Sequence, residues 1–315
     1  MNLTMGEQVM DPITALGFSR RSTAEQVTEG LDLSGRTILI TGCNSGIGLE
    51  TTRVLAMRGA RIIAVARDED KARAALAIAD AADGMAVGAE LTDLASVARA
   101  ADRILACGIT LDAIITNAAI MALPTLETVN GVEKQFFVNH VAHHLLVTRL
   151  LPSINRSRPG RIVIVGSHSH NFAPGGKGID FDNLDGSKGY RGFPFYGQAK
   201  LANILFANEL SRRVANVGIT ANALHPGLIG ATGLHRHMRG PFNWIVSAAM
   251  LFGKTVPQGA ATTCLLAAHP ALNGVTGRYF ADCRPAKSSA FAQDTDLARR
   301  LWDRTEAIIA SHGMT

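Results

Sequence analysis

The sequence has few cysteines, no long apolar run and no apolar segment at its start. The cysteines lie far apart and form no C-x-x-C pair, which disfavours a disulfide framework and a cysteine metal site: Cys43, Cys107, Cys264 and Cys283. The longest apolar stretch, residues 242–252, is too short to span a bilayer. The first residues carry acids and a proline where a secretory signal has its apolar core. These absences predict a soluble, cytoplasmic protein.

A strong charge of one sign is also missing. Lysine and arginine number 31 against 26 aspartate and glutamate, and the formal excess of +5 is spread along the chain without a long basic run. We therefore expect no nucleic acid partner, although a small anionic ligand is allowed. With 315 residues, 47% of them hydrophobic, the chain can bury one large core.

From residue 35 onward, short β-branched runs alternate with longer segments rich in alanine and leucine. This alternation is typical of repeated βαβ units and predicts an α/β fold with a parallel sheet. We expect one domain over residues 35–315, with insertions near 168–194 and 231–256 and one long helix over 132–154. Residues 1–34 form an N-terminal extension that packs on the domain, and Ser22, Thr23 and Gln26 indicate a capping box there.

A glycine-rich turn follows the first predicted strand and precedes the first long helix. Gly42, Gly46 and Gly48 lie inside a βαβ unit of about thirty residues, the context that makes such a pattern informative. Glycine lets the backbone approach a pyrophosphate, whose charge the helix N-terminus stabilises. The alternative is a purely structural turn. We favour a dinucleotide site.

The end of the second strand bears on the choice of cofactor. Sites that prefer NAD carry an acid there, whereas this chain has Ala66 followed by Arg67, whose guanidinium suits a 2'-phosphate. The acids that follow at 68–70 fit the first turn of the next helix equally well. The sequence therefore favours NADP(H) over NAD(H).

Tyr196 and Lys200 are spaced to share one face of a helix. The pair alone decides nothing, because chance can supply it. A set of further stretches in order gives it weight: residues 41–48, residues 116–119, Asn139, Ser167 and the turn His225-Pro226-Gly227. Together with Tyr196-x-x-x-Lys200, this set resembles the short-chain dehydrogenase/reductase family.

The resemblance runs from about Gly35 to Leu301 and implies a single Rossmann-like, doubly wound domain. It also implies a mainly parallel seven-stranded sheet with helices on both faces. The catalytic residues it implies are Asn139, Ser167, Tyr196 and Lys200. The cofactor-binding residues it implies, together with the Arg67 assignment, are Gly42, Asn44, Ser45, Gly46, Ile47, Gly48, Arg67, Glu90, Leu91, Asn117, Ala118, Ala119, Tyr196, Lys200, Pro226 and Gly227.

Within the family, NSGIGLET, VNHVAHHLL, AKLANILF and YFADC are most similar to the retinol dehydrogenase and WW-domain oxidoreductase branch. A thinner similarity links NAAIM and ATGL to light-dependent protochlorophyllide reductases, which usually carry a cysteine where this chain has Ala202. The chain departs from the usual family residues at Thr116, Ala119, Glu90 and Gly166. None of these departures removes a catalytic group.

The implied chemistry is reduction of a carbonyl or its reverse, with Tyr196 as the acid or base. A free tyrosine has a pKa near 10, and we expect Lys200 to lower it by about two units through its charge. Ser167 would donate to the substrate oxygen. In the family pattern Asn139 holds a water that links Lys200 to solvent.

The histidines at positions 140 and 144 have the helical spacing of metal ligands, but no acidic motif accompanies them and we expect no metal site. The expected function is NADP(H)-dependent interconversion of a carbonyl and an alcohol on an apolar small molecule. Reduction of a C=C bond in a conjugated ring and a non-catalytic NADP-binding regulatory role are the alternatives. We expect a homodimer or homotetramer, and the stretch 242–252 is either a substrate lid or packing and dimer contact.

Overall fold

The computed structural model describes residues 11–229 and 253–314. The strands are β1 Thr37–Thr41, β2 Arg61–Ala66, β3 Met85–Gly88, β4 Ala113–Thr116, β5 Thr128–Val129, β6 Val132–Glu133, β7 Gly160–Val165, β8 Ile219–His225, β9 Tyr279–Ala281 and β10 Arg284–Pro285. The helices are α1 Ala24–Val27, α2 Gly46–Met57, α3 Glu69–Ile78, α4 Leu94–Ala106, α5 Lys134–Phe136, α6 Ala142–Leu150, α7 Gly192–Arg213, α8 Val256–Ala268, α9 Ala290–Gln293 and α10 Thr295–Ser311.

The main sheet has the order β3-β2-β1-β4-β7-β8-β9-β10. The first seven of these strands are parallel, which confirms the α/β fold class, and β10 pairs antiparallel with β9. The described residues thus form eight strands in this sheet where seven were predicted. The additional strand has only two residues, a length that leaves no periodic signal in the sequence. Successive strands are added towards one edge of the sheet from β1 to β3 and towards the other edge from β4 onward, so the strand order reverses between β1 and β4, where doubly wound sheets bind their ligands.

Two apolar clusters cover the two faces of the sheet. Leu39 of β1 packs in one cluster with α4, α6, α7 and α10, while its neighbours Ile38 and Ile40 pack in the other with α2, α3 and α8. Successive side chains of a strand point to opposite faces, so a strand buried on both faces is apolar throughout. The carboxyl edge between the two helix layers is where the polar residues of interest meet.

The predicted long helix over 132–154 is interrupted. Val132 and Glu133 belong to the small hairpin β5–β6, and the helix begins at Lys134. A π-helical turn, Phe137–Val141, then separates α5 from α6, and the amide of Ala142 donates to the carbonyl of Phe137, five residues earlier. Such turns widen a helix locally and are frequent at functional sites. This one contains Asn139.

The long segment after β7 contains three short 3-10 turns, His168–Phe172, Pro174–Gly176 and Phe181–Asn183. Helix α7 then begins at Gly192, three residues before the predicted start at Phe195. The second predicted insertion, 231–256, falls mostly on residues 230–252, which lie outside the described residues.

Residues 11–34 contain α1, which packs against α8 and α2. Thr23 caps α1, and its side chain and that of Gln26 form the reciprocal hydrogen bonds of a capping box. Earlier in the extension, the carbonyl of Phe18 accepts a hydrogen bond from Nε of Arg284. Among the described residues, no helix is both long enough and apolar enough to cross a membrane.

Candidate active site

The glycine turn between β1 and α2 is closed by contacts that leave no room for side chains. Gly42 has φ 67°, and a Cβ there would lie 2.8 Å from the Cα of Ala118. A Cβ on Gly48 would lie 2.0 Å from the carbonyl oxygen of Gly42. Both distances are far below van der Waals contact. The turn therefore requires glycine for close packing of helix and strand as well as for its backbone conformation.

Asn117 fixes this turn from the neighbouring strand. Its Nδ2 donates to the carbonyls of Thr41 at 3.1 Å and Gly42 at 3.3 Å. Ser45, the N-cap of α2, makes no side-chain hydrogen bond to the helix. The first amides of a helix have no partner within it, so they remain available to an anion. The turn fits the pyrophosphate of a dinucleotide, and Asn44, Ser45, Gly46 and Ile47 are the residues that line it.

Arg67 lies directly after β2, and its side chain is 71% exposed. Its Nε is 3.3 Å from Oε2 of Glu90, which follows β3, and Oε1 of Glu90 accepts hydrogen bonds from the amide and hydroxyl of Thr92. Asp68 caps α3 by accepting from the amide of Lys71, so the acids at 68–70 belong to the helix start. The guanidinium of Arg67 thus stands exposed at this end of β2, next to Glu90.

The remaining predicted cofactor residues lie on the same carboxyl edge. Leu91 packs partly buried against the core beside Glu90, and Ala118 and Ala119 follow β4. Pro226 and Gly227 follow β8. Gly227 has φ 101°, and a Cβ there would lie 2.6 Å from Cδ of Lys254. The exits of these five parallel strands therefore lie along one edge of the sheet, where doubly wound folds form their ligand crevice.

Tyr196 and Lys200 lie one turn apart near the start of α7, and both are almost completely buried. The Nζ of Lys200 is 5.8 Å from the centroid of the Tyr196 ring and donates to the carbonyl of Val165 at 3.0 Å. Ser167 follows β7; its hydroxyl accepts from the amide of Ser169, lies 3.2 Å from the Ser169 hydroxyl and is close enough to Tyr196 to affect its ionisation. Strand β7 and helix α7 thus place three predicted catalytic groups in contact.

The ionisation of the pair differs from the expectation. Burial raises the pKa of Tyr196 to about 12, and the hydrogen bond with Ser167 only partly opposes this. Burial also lowers the pKa of Lys200 to about 7. The prediction that Lys200 brings the tyrosine pKa below 10 was wrong for the protein alone. The physical reason is that both charged forms lose their hydration in the same buried site.

Asn139 makes contacts that its spacing did not reveal. Its Oδ1 accepts from the amide of Ile120, and its Nδ2 donates to the carbonyl of Ile120, both at 2.9 Å. The side-chain amide is thereby committed to the loop after β4. The main-chain carbonyl oxygen of Asn139 lies 3.1 Å from Nδ1 of His143, and a carbonyl oxygen has a second lone pair that can accept from a water.

Two aromatic side chains near Tyr196 were missed. The rings of Phe172 and Phe193 are 5.7 Å apart, and Phe193 is 6.5 Å from the ring of Tyr196. Phe172 is 53% exposed, which is unusual for so large an apolar residue. The signal available in the sequence was two phenylalanines near the two ends of the segment between Ser167 and Tyr196. Together they place apolar rings beside Tyr196.

The histidines of the π turn and α6 face two ways. His140 bonds Thr305 at 2.9 Å and His144 bonds Glu306, so both meet the C-terminal helix α10. His143 instead faces the end of β1, where its Nε2 is 3.0 Å from the hydroxyl of Thr41. Within residues 11–229 and 253–314, no group of three or more His, Cys, Asp or Glu side chains is placed to hold a metal ion.

Comparison with known proteins agrees with this geometry. A sequence profile described as short chain dehydrogenase matches residues 36–240. The chain is 40% identical to the short-chain dehydrogenase TIC 32 B, chloroplastic, of Brassica napus, over 94% of this chain and 95% of that protein. It is 38% identical to human retinol dehydrogenase 14, over 88% of this chain and 87% of that protein, which confirms the predicted similarity to the retinol dehydrogenase branch.

A similar fold occurs in a solved structure of an uncharacterised protein from Mycobacterium paratuberculosis. The TM-score is 0.71 at 30% sequence identity, and the match covers 90% of this chain and 97% of the other. Proteins of the matched family are oxidoreductases that bind nicotinamide cofactors. The sequence match, the full-length relatives and the fold together place this chain in the short-chain dehydrogenase/reductase family.

Proposed function

We propose that this chain interconverts a carbonyl and an alcohol on an apolar small molecule, using NADP(H), with Tyr196 as the acid or base. The observation that carries this proposal is the meeting of Tyr196, Lys200 and Ser167 at the carboxyl edge of the sheet. A tyrosine hydroxyl next to a second hydroxyl donor is the arrangement needed to protonate and hold a carbonyl oxygen.

The protein's part in the reaction follows from burial. At neutral pH the phenol of Tyr196 is protonated, because its pKa is about 12, so it is ready to donate to a carbonyl oxygen. Lys200 has a pKa of about 7, and its Nζ donates to the carbonyl of Val165. A protonated, positively charged Lys200 at this position would favour the phenolate that remains once Tyr196 has donated its proton. NADPH, when bound, supplies the hydride, and the positive charge of its oxidised form would also favour the phenolate of Tyr196.

Arg67 supports the choice of NADP(H). Its guanidinium is exposed at the end of β2, and its Nε lies 3.3 Å from Oε2 of Glu90. The remaining N–H groups can bind a phosphate, for which the planar guanidinium is well suited. Glu90 thereby orients the side chain that would hold the phosphate.

An apolar substrate is supported by Phe172 and Phe193, which flank the approach to Tyr196. One relative is named a retinol dehydrogenase, an enzyme of an apolar alcohol. We also propose a cytoplasmic protein, since all four cysteines are free and three are buried. A homodimer or homotetramer remains our prediction for the assembly.

The test is oxidation of NADPH across a panel of apolar aldehydes and ketones, with Tyr196→Phe as the blank and Tyr190→Phe as the matched control. The hydroxyl of Tyr190 donates to the carbonyl of Leu123, away from the reacting groups. We expect turnover with at least one carbonyl, its loss in Tyr196→Phe, and turnover within about threefold of wild type in Tyr190→Phe. Reduction of a conjugated C=C bond alone, or NADPH binding with no turnover, would contradict the proposal.

A further inference from the structure

His143 links the end of β1 to the π turn that contains Asn139. Its Nε2 is 3.0 Å from the hydroxyl oxygen of Thr41, the last residue of β1. Its Nδ1 is 3.1 Å from the main-chain carbonyl oxygen of Asn139, one turn earlier in the same helix. The imidazole is buried. It therefore bridges the strand that carries the glycine turn and the π turn that carries Asn139.

Thr41 continues the connection into the loop after β4. Its Oγ1 accepts from the amides of Asn117 at 2.9 Å and Ala118 at 3.1 Å. The same loop is held at Ile120 by the side chain of Asn139. These hydrogen bonds form a closed cycle, the hydrogen-bond ring, which runs from Thr41 through His143 to Asn139 and back through the loop after β4. His143 is the one histidine in it.

The hydrogen-bond ring fixes the protonation state of His143. A hydroxyl oxygen has two lone pairs, and both of those on Thr41 face amide donors, so the hydroxyl proton is directed to Nε2. Nε2 must then be unprotonated, which leaves the proton on Nδ1, from which it is donated to Asn139. Burial and the charge of Lys200 lower the pKa of His143 to about 4, so the neutral form is the one present at neutral pH.

The second hydrogen bond of His143 concerns the main-chain carbonyl of Asn139. Its side-chain amide is engaged at Ile120. Its carbonyl accepts from His143 through one lone pair, and the other lone pair can hold a water. A shift of this carbonyl would move that water relative to the catalytic pair on α7.

We propose that His143 is a positioning residue: its neutral, Nδ1-protonated imidazole holds the Asn139 carbonyl and the loop 117–120 in the arrangement that the Tyr196–Lys200 pair requires. The inference rests on the proposed function, because it concerns the rate of that reaction. It assigns His143 no contact with substrate or cofactor.

Three variants separate the two bonds of His143. His143→Asn places an amide donor near the position of Nδ1 and keeps the bond to Asn139, whereas His143→Gln reaches towards Thr41. His143→Phe keeps a ring and loses both bonds. His140→Phe is the matched control, because His140 is equally buried in the same helix but bonds Thr305 on α10.

The rate experiment uses the full-length protein with NADPH and the best carbonyl of the panel. In His143→Phe we expect kcat to fall about 30-fold, as for a small misplacement of reacting groups, with the KM for the carbonyl changed less than about threefold. His143→Asn should recover most of this loss. Equal kcat values in His143→Phe and His140→Phe, or no recovery in His143→Asn, would overturn the proposal.

A second measurement does not depend on turnover. Nitrogen NMR of isotope-labelled histidine distinguishes the two neutral tautomers, and we expect the Nδ1-protonated form for His143, with loss of its assigned signal only in the His143 variants. If the imidazole of His143 in an active enzyme is protonated on Nε2, or on both nitrogens, the proposal is overturned. Absence of turnover in the wild type would instead contradict the proposed function, while the tautomer still decides whether the ring of hydrogen bonds exists.

Discussion

The cofactor side of the crevice, at the ends of β1 to β3, is built differently from the catalytic side, at the end of β7 and the start of α7. The cofactor side depends on backbone atoms in close contact, and its charged groups, Arg67 and Glu90, are exposed. The catalytic side depends on buried titratable side chains with shifted pKa values, about 12 for Tyr196 and about 7 for Lys200. Substitutions on the first side should therefore change affinity, and substitutions on the second should change rate.

The largest effect on affinity is expected from Gly48→Ala. The added Cβ would lie 2.0 Å from the carbonyl oxygen of Gly42, which is backbone and cannot turn aside. The turn must shift away from the position that fits a pyrophosphate, and we expect a rise of about 30-fold in the Kd for NADPH, a loss of about 2 kcal/mol in binding free energy. Fluorescence titration of NADPH measures it.

Gly160→Ala is the matched control for that substitution. Its Cβ would meet Cγ2 of Ile154 at 2.3 Å, a side-chain atom at the opposite end of the sheet. We expect a lower melting temperature in this variant with the NADPH Kd unchanged. Equal changes in Kd in both variants would show that the glycine turn affects the cofactor only through general stability.

A smaller effect is expected from Arg67→Ala. This substitution removes a charge from the cofactor side and leaves its backbone intact, so it separates the two contributions to affinity. Loss of one charge-assisted contact to a 2'-phosphate should reduce the preference for NADPH over NADH about 10-fold. Arg61→Ala, at the other end of β2, is the control and should leave the ratio unchanged. An unchanged ratio in Arg67→Ala would show that another residue binds the phosphate.

The two sides also differ in how well the sequence predicts them. The glycine turn, Arg67 and the Tyr196–Lys200 spacing are local patterns, and the structure places each of them on the strand or helix expected. The pKa of Tyr196 was predicted in the wrong direction because burial depends on the whole fold and not on the spacing to Lys200.

Contacts between residues that are far apart in the sequence could not be predicted either. Asn139 binds Ile120 through its side chain, and His140 and His144 bind a helix more than 160 positions later. Three histidines in five positions look alike in the sequence, yet His143 faces the site while its two neighbours face α10. The π turn that sets these directions has no recognisable sequence signature of its own.

The central claim is that Tyr196 is the acid or base that transfers the proton. The most direct test is a single-turnover reaction with NADPH deuterated at its transferable hydride, comparing wild type and Tyr196→Phe with the panel's best carbonyl and measuring the NADPH Kd of each. We predict a Kd within about threefold of wild type and a transfer rate lower by about 1,000-fold or more. A transfer rate within about tenfold of wild type would contradict the assignment.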